Sequence, residues 1–324
     1  MKRNAALCLA ISCLLLLTSC GKEASNTYHA YITPAAYGIT AAPADDAAEG
    51  FFSSGLCVTD ESDLHTEAVD SQVAAAAGVF NCDNGAVTYK QNIFGQVYPA
   101  STTKILTALV AIRYGDLDKT VTVSENAVNL PSESSVANLK AGDSLTIRQL
   151  LYGLLLVSGN DAAIAIAEGV SGDVDTFVAQ MNSEAASLGA THSNFVNPHG
   201  LPDPNHYTTV YDMYLIMNAA VKNTDFVDIV HSASYDAYYL DAAGNQVTKT
   251  WGNSNQYLTG FRRMPDGIEV IGGKSGTTGA AGYCLVLLSR NAAGQNIISL
   301  VYGADARTNL YLLMGEILSA YGGT

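Results

Sequence analysis

The sequence predicts an α+β fold: an antiparallel sheet flanked by helices, with a helical subdomain inserted between its first and last strands. Three observations carry this. Two short apolar segments around a tight turn open the globular part, at residues 73–91. Helix-length apolar segments then follow one another from 103 to 221. Two strongly apolar strands and a closing amphipathic helix end the chain, at residues 283–321.

The elements follow in order. VAAAAGVF and AVTYKQ flank a turn at NCDNG and read as two short strands joined as a hairpin, with Asn84-Gly85 as the turn signal. Thr103 to Tyr114 is an apolar helix stopped by Gly115, and Leu145 to Val157 and Ala162 to Val170 are helices broken by SGND at Ser158 to Asp161. Val174 to Leu188 and Val210 to Val221 carry helical periodicity as well. The Tyr-rich stretch SYDAYYLDAAGN reads as a hairpin. Lys274-Ser275-Gly276 reads as a loop ahead of the strand YCLVLLS, which the turn RNAAGQ separates from NIISLVYG. Asn309 to Tyr321 is the last helix. No internal repeat interrupts this order.

Of the 324 residues 48% are hydrophobic and 14% charged, enough for a large core. One part departs from this composition. Between Lys22 and Asp70 nine acidic residues face a single basic one, amid Ala, Gly, Ser, Thr and Pro without periodicity. Such a stretch buries too little apolar surface to offset its ordering entropy, so 20–70 reads as an acidic tether and 71–324 as the globular domain. Phe51 and Phe52 are its apolar exceptions. The net charge of −14 argues against binding nucleic acid, which depends on Lys and Arg neutralising phosphates.

Residues 1–19 read as a targeting segment. Lys2 and Arg3 precede an apolar run, Ala5 to Leu17, too short to span a bilayer. The run ends in LTSC, Leu17 to Cys20, which resembles the lipobox of bacterial lipoproteins. That resemblance implies a mature chain beginning at a lipidated Cys20. With Cys8 and Cys13 in the leader and Cys20 taken by lipid, Cys57, Cys82 and Cys284 remain, an odd number that excludes a full disulfide framework. A Cys57–Cys82 pair stays open.

The chemistry is concentrated in YPASTTKILTALVAI, residues 98–112. Ser101 and Lys104 lie three apart, so a helix presents both on one face. A hydroxyl becomes a nucleophile when something takes its proton. A lysine does so only as a free amine, which requires desolvation or a neighbouring cation. ILTALVAI supplies the desolvation. Alone, the pair also fits a helix N-cap and a solvated first-turn charge. SGN at Ser158 to Asn160 and GGKSGTTGAAGYCL around Lys274-Ser275-Gly276 complete a set that neither would make alone.

In this order the three motifs resemble those of penicillin-binding proteins and serine β-lactamases, S-x-x-K, S-D-N and K-T-G. With LLYGLLLVSGNDAA and NPHGL, the chain from Ser71 to Thr324 looks like a low-molecular-mass D-alanyl-D-alanine carboxypeptidase. The resemblance implies a β-lactamase/transpeptidase-like domain in which Ser101 is acylated and Lys104 is its base. Lys274 would be the second cation and Ser158 would relay a proton to the leaving amine. Asn160 would hold the substrate carbonyl. The N–H groups of Ser101 and Thr277 would form the oxyanion hole, with Ser275, Gly276 and Thr277 lining the carboxylate site.

Ser275 departs from the family threonine but keeps its hydroxyl, and Arg262 and Arg263 are the candidates for a carboxylate-binding arginine. SGN fits carboxypeptidases better than β-lactamases, and no glutamate motif for rapid deacylation is evident. The resemblance implies removal of the terminal D-Ala from peptidoglycan stem pentapeptides, acylation by β-lactams, a monomer, and no cofactor. The alternatives are a β-lactamase, a transpeptidase or a non-catalytic β-lactam-sensing lipoprotein. A metal reading of His192, His199 and His206 fails for want of acidic or cysteine partners at helical spacing. The relatives' C-terminal β-rich domain and membrane helix have no counterpart before Thr324. The expected location is therefore the outer face of the cytoplasmic membrane, with lipid on Cys20 as the anchor.

Overall fold

The computed structural model describes residues 55–64 and 69–323. The hairpin forms as β1 (Ala76–Asn81) and β2 (Val87–Gln91). After a 3-10 turn at Ala100–Thr103, helix α1 (Lys104–Tyr114) begins a region that also holds β3 (Thr120–Thr122), α2 (Glu125–Val128) and β4 (Ser144–Thr146). Helices α3 (Ile147–Leu155), α4 (Asn160–Ser171) and α5 (Val174–Ser187) follow. Then come α6 (Val210–Ala220) and α7 (Thr224–His231). The chain ends with β5 (Ser234–Leu240), β6 (Gln246–Gly252), β7 (Ile268–Thr278), β8 (Gly282–Asn291), β9 (Asn296–Ala304) and α8 (Arg307–Tyr321).

Five strands pair antiparallel in the order β2-β1-β9-β8-β7, so β1 and β9, from opposite ends of the sequence, lie side by side. That pairing makes the domain discontinuous. Period-two alternation sends the two faces of each strand into separate cores. Leu285, Leu287, Ile297 and Val301 pack under α8 on Leu310, Met314 and Ile317. Val286, Leu288, Ile298 and Leu300 face the inserted helices, α1 and α6 among them. A second sheet, β3-β4-β5-β6, belongs to the insertion, and the Tyr-rich hairpin is its β5–β6 pair.

Helix starts follow capping chemistry. Thr146 and Gln149 form a reciprocal capping box at α3, and Asn223, Thr209 and Asp173 cap α7, α6 and α5. Two expectations need correction. Lys274-Ser275-Gly276 is not a loop before a strand but part of β7, whose glycines hid the strand pattern. The packed domain also reaches back before Ser71. Cys57 is fully buried, its N–H donating to Tyr214 Oη at 2.7 Å and its carbonyl accepting from Tyr211 Oη at 2.9 Å. Asp60 pairs with Lys90 at 2.5 Å and Leu64 bridges to the Lys90 backbone. Acidic composition suggested a spacer, but Lys90 is the cation that gives Asp60 a partner. Cys57, Cys82 and Cys284 are free thiols. The leader, Cys20 and most of the tether lie outside the described residues, as do Phe51 and Phe52. Among the described residues no helix is long and apolar enough to cross a membrane.

Candidate active site

Ser101 stands in a turn held from both sides. Ala100 adopts φ +48°, a left-handed conformation costing a residue with a Cβ about 1–3 kcal/mol. Thr102 Oγ1 donates to Pro99 O at 2.7 Å and Thr103 Oγ1 to Ala100 O at 2.8 Å. A Cβ on Gly200 would fall 1.9 Å from Ala100 O, and one on Gly276 would fall 2.8 Å from Ser101 N. Two glycines therefore let the NPHGL loop and β7 close on the turn. Among the described residues no side chain caps α1, and its N-cap position is Thr103, so Ser101 is not the N-cap that its position also suggested.

Lys104 is completely buried. Its Nζ lies 3.0 Å from Ser101 Oγ, 2.7 Å from Asn160 Oδ1 and 2.6 Å from His199 O. Burial holds its pKa well below the ordinary lysine value. The nearby Lys274 adds to that depression, while Asp161 opposes it.

SGN occupies the break between α3 and α4. Ser158 has φ +62° and is buried, and among the described residues its Oγ has no hydrogen-bond partner. Asn160 opens α4, its N–H donating to Ser135 O at 2.8 Å. The next residue, Asp161, accepts from Ala137 N and Leu139 N at 2.7 and 3.0 Å, which ties this break to the 135–139 loop.

β7 is an edge strand of the five-stranded sheet. Lys274 on it is 1% exposed, and burial lowers its pKa to about 7. Its Nζ donates to Ser275 O at 2.7 Å. Ser101, Ser158, Lys274, Ser275, Gly276 and Thr277 all line one cleft of about 190 Å³. The motifs, 57 and 116 residues apart in sequence, are thus brought to one place.

The cleft also contains residues that the sequence did not reveal: Arg307, Ser135, Ser254 and Gln256. Arg307, the first residue of α8, lies over the Tyr283 ring at 5.8 Å. The expected arginines are elsewhere. Arg263 is exposed and pairs with Asp266, and Arg262 reaches Gln256 and the Tyr311 ring from outside the cleft lining. Arg307 follows Lys274 by a whole hairpin, so no local motif marks it. Of the three spaced histidines, His206 Nε2 meets Thr103 Oγ1 at 2.8 Å, His199 Nδ1 accepts from Leu201 N, and His192 N–H donates to Asp212. Each is tied into the loops of the domain.

A nucleophile-like serine, two buried lysines and an edge strand make a site for acyl transfer. Comparisons with known proteins agree with it. The family model for peptidase S11, D-alanyl-D-alanine carboxypeptidase, matches residues 63–306. The chain is 33% identical over 237 residues to D-alanyl-D-alanine carboxypeptidase DacF of Bacillus subtilis, covering 72% of this chain and 58% of DacF. It is 38% identical over 207 residues to DacB2 of Mycobacterium tuberculosis, covering 63% of this chain and 66% of that protein. The match thus spans little more than half of the DacF length. The fold is similar to the crystal structure of the Streptomyces K15 DD-transpeptidase, with a TM-score of 0.70 at 30% identity over 76% of this chain and 95% of that one. With the motifs assembled in one cleft and the match running through them, the chain belongs to the D-alanyl-D-alanine carboxypeptidase family.

Proposed function

We propose that the chain is a serine-type D-alanyl-D-alanine carboxypeptidase acting on peptidoglycan stem pentapeptides. One observation carries the assignment of nucleophile and base. A neutral amine has two hydrogens and one lone pair. Lys104 Nζ has two neighbours that only accept, Asn160 Oδ1 and His199 O, and a third, Ser101 Oγ, that has a proton to give. Donating to the first two directs the lone pair at the hydroxyl. Burial and Lys274 favour the neutral amine that this requires.

The remaining roles follow. Ser101 Oγ attacks the carbonyl carbon of the penultimate D-Ala, and its proton passes to Lys104. The N–H groups of Ser101 and Thr277 stabilise the oxyanion. Ser158 relays a proton to the departing D-Ala amine, and water then releases the acyl group. Asn160 has an amide N–H to offer the substrate carbonyl. The peptide extends along the free edge of β7, where Lys274, Ser275, Thr277 and Arg307 receive the terminal carboxylate. β-Lactams acylate the same serine. The likeness to a DD-transpeptidase keeps a second fate of the acyl-enzyme in view, transfer to an amine in place of water.

The test is release of D-Ala from a peptide ending in D-Ala-D-Ala, together with peptide mapping of the site that labelled penicillin occupies. Ser101→Ala is expected to lose both. Labelling that survives this change would refute the assignment. LTSC and the acidic stretch after it support a lipid anchor at Cys20, holding the domain outside the cytoplasmic membrane. Cys20→Ser is expected to move the protein out of the membrane fraction. Retention on membranes after a high-salt wash would exclude that anchor.

A further inference from the structure

The peptide bond between Ala100 and Ser101 carries two groups of consequence. Its N–H belongs to Ser101 and is one of the two donors assigned above to the oxyanion. Its C=O belongs to Ala100. A trans peptide is planar, so fixing the direction of the carbonyl fixes the opposite direction of the N–H. The Ser101 nitrogen faces β7, where a Cβ on Gly276 would fall 2.8 Å away.

The carbonyl is held by a chain of hydrogen bonds with one polarity. Val196 N–H donates to His206 Nδ1 at 3.1 Å, so the neutral ring carries its hydrogen on Nε2. Nε2 in turn meets Thr103 Oγ1 at 2.8 Å, and Thr103 Oγ1 donates to Ala100 O at 2.8 Å. Thr103 is fully buried and His206 1% exposed, and the His206 ring stands edge-on to Phe195 at 5.5 Å. Burial lowers the His206 pKa to about 4, so the ring is neutral at pH 7 and keeps this tautomer. Ala100 occupies left-handed backbone, which a residue with a Cβ keeps only under such restraint.

We propose that His206, through Thr103, is a positioning residue that aims the Ser101 N–H into the oxyanion hole by holding the Ala100 carbonyl. A hydrogen bond at the carbonyl also polarises the same peptide and strengthens its N–H as a donor. The effect belongs to the tetrahedral transition state, so it reads out in the acylation step and not in the preceding complex. The inference rests on Ser101 being the nucleophile, and its test separates the two.

Rapid kinetics with a chromogenic cephalosporin resolve the dissociation constant of the first complex from the acylation rate constant. Thr103→Val keeps the shape and removes the hydroxyl. It is expected to lower the rate constant by about 10- to 100-fold, below the loss from deleting an oxyanion donor outright, while the dissociation constant moves by less than about twofold. Thr103→Ser, which keeps the hydroxyl, is expected to recover most of the rate. Combined with His206→Gln, Thr103→Val is expected to cost little beyond the single change, because both break one chain. Wild-type acylation in a folded Thr103→Val protein would overturn the proposal. So would a Thr103→Ser protein as impaired as Thr103→Val, or a rate and dissociation constant that worsen together with the melting temperature. Absence of acylation at Ser101 in the unaltered protein would instead defeat the functional assignment.

Discussion

His199 meets Lys104 with its backbone carbonyl and not with its imidazole: the oxygen lies 2.6 Å from Nζ, while ring Nδ1 accepts the Leu201 N–H at 3.2 Å. A carbonyl never titrates and never donates. It is a fixed acceptor that removes one hydrogen of the amine from competition for Ser101. The Asn197 side chain shapes the loop that presents it, with Oδ1 accepting from Gly200 N at 2.7 Å and Nδ2 donating to Leu201 O at 3.1 Å.

His199→Ala is therefore expected to retain acylation within about tenfold, about 1.4 kcal/mol, since the carbonyl survives the change. Burial holds the His199 ring at a pKa of about 3, so no acid limb near pH 6 belongs to it. Penicillin-acylation rates check this, and complete loss would show that the imidazole itself takes part.

The two lysines are expected to separate by pH. The roles proposed above need Lys104 neutral and Lys274 charged. Lys104 is held well below its ordinary value, so its base form persists toward acid pH. Lys274, at about 7 through burial, loses its charge as pH rises, and acylation by the free enzyme falls above that point. Lys274→Arg stays charged and is expected to remove this alkaline fall while retaining activity. Lys104→Arg supplies no base at neutral pH and is expected to lower acylation by about 10²- to 10⁴-fold. Acylation rates of the three proteins from pH 5 to 10 decide it, and matching profiles would contradict the division of roles.

Gly200→Ala is expected to damage folding and activity together. Gly200 has φ +89°, and the added Cβ would meet Ala100 O at 1.9 Å. Relief requires the NPHGL loop to withdraw from the Ser101 turn and from Lys104. The expected loss is on the order of 3 kcal/mol, visible as a lower melting temperature. Unchanged melting would mean that the loop is not clamped there.

A protein beginning at Gly55 is expected to be more stable than one beginning at Ser71. The shorter version uncovers Tyr214 and Tyr211, which hold the Cys57 backbone, and strips Lys90 of Asp60. Removing a buried side chain with its hydrogen bonds costs about 2–3 kcal/mol, or roughly 4–12 °C in a domain of this size. Calorimetry of the two proteins measures it. Equal melting temperatures would place the true boundary at Ser71.

The sequence by itself determined what depends on short spacing. Ser101 and Lys104 share a face because a helical turn brings i and i+3 together, and Asn84-Gly85 announced the β1–β2 hairpin through its turn chemistry. Helices α1, α3, α4, α5, α6 and α8 and the strands β8 and β9 were legible because burial imposes their periods on the residue order, whereas the short α2 and α7 were not. Strand β7 was not, since Gly272, Gly273 and Gly276 lack the side chains that would reveal alternation, and they are glycines because Val230, the Val286 carbonyl and Ser101 N approach them closely. Only the tertiary structure decided the rest. It brought β9 beside β1, and with it α8 and Arg307 to the cleft. It drew Cys57 and Asp60 onto the domain against their acidic surroundings. It turned a main-chain carbonyl of the NPHGL loop toward Lys104 and a buried histidine toward Thr103. Such contacts join residues from 30 to more than 200 positions apart, or engage backbone atoms that every residue carries, so they have no local pattern by which a sequence can announce them.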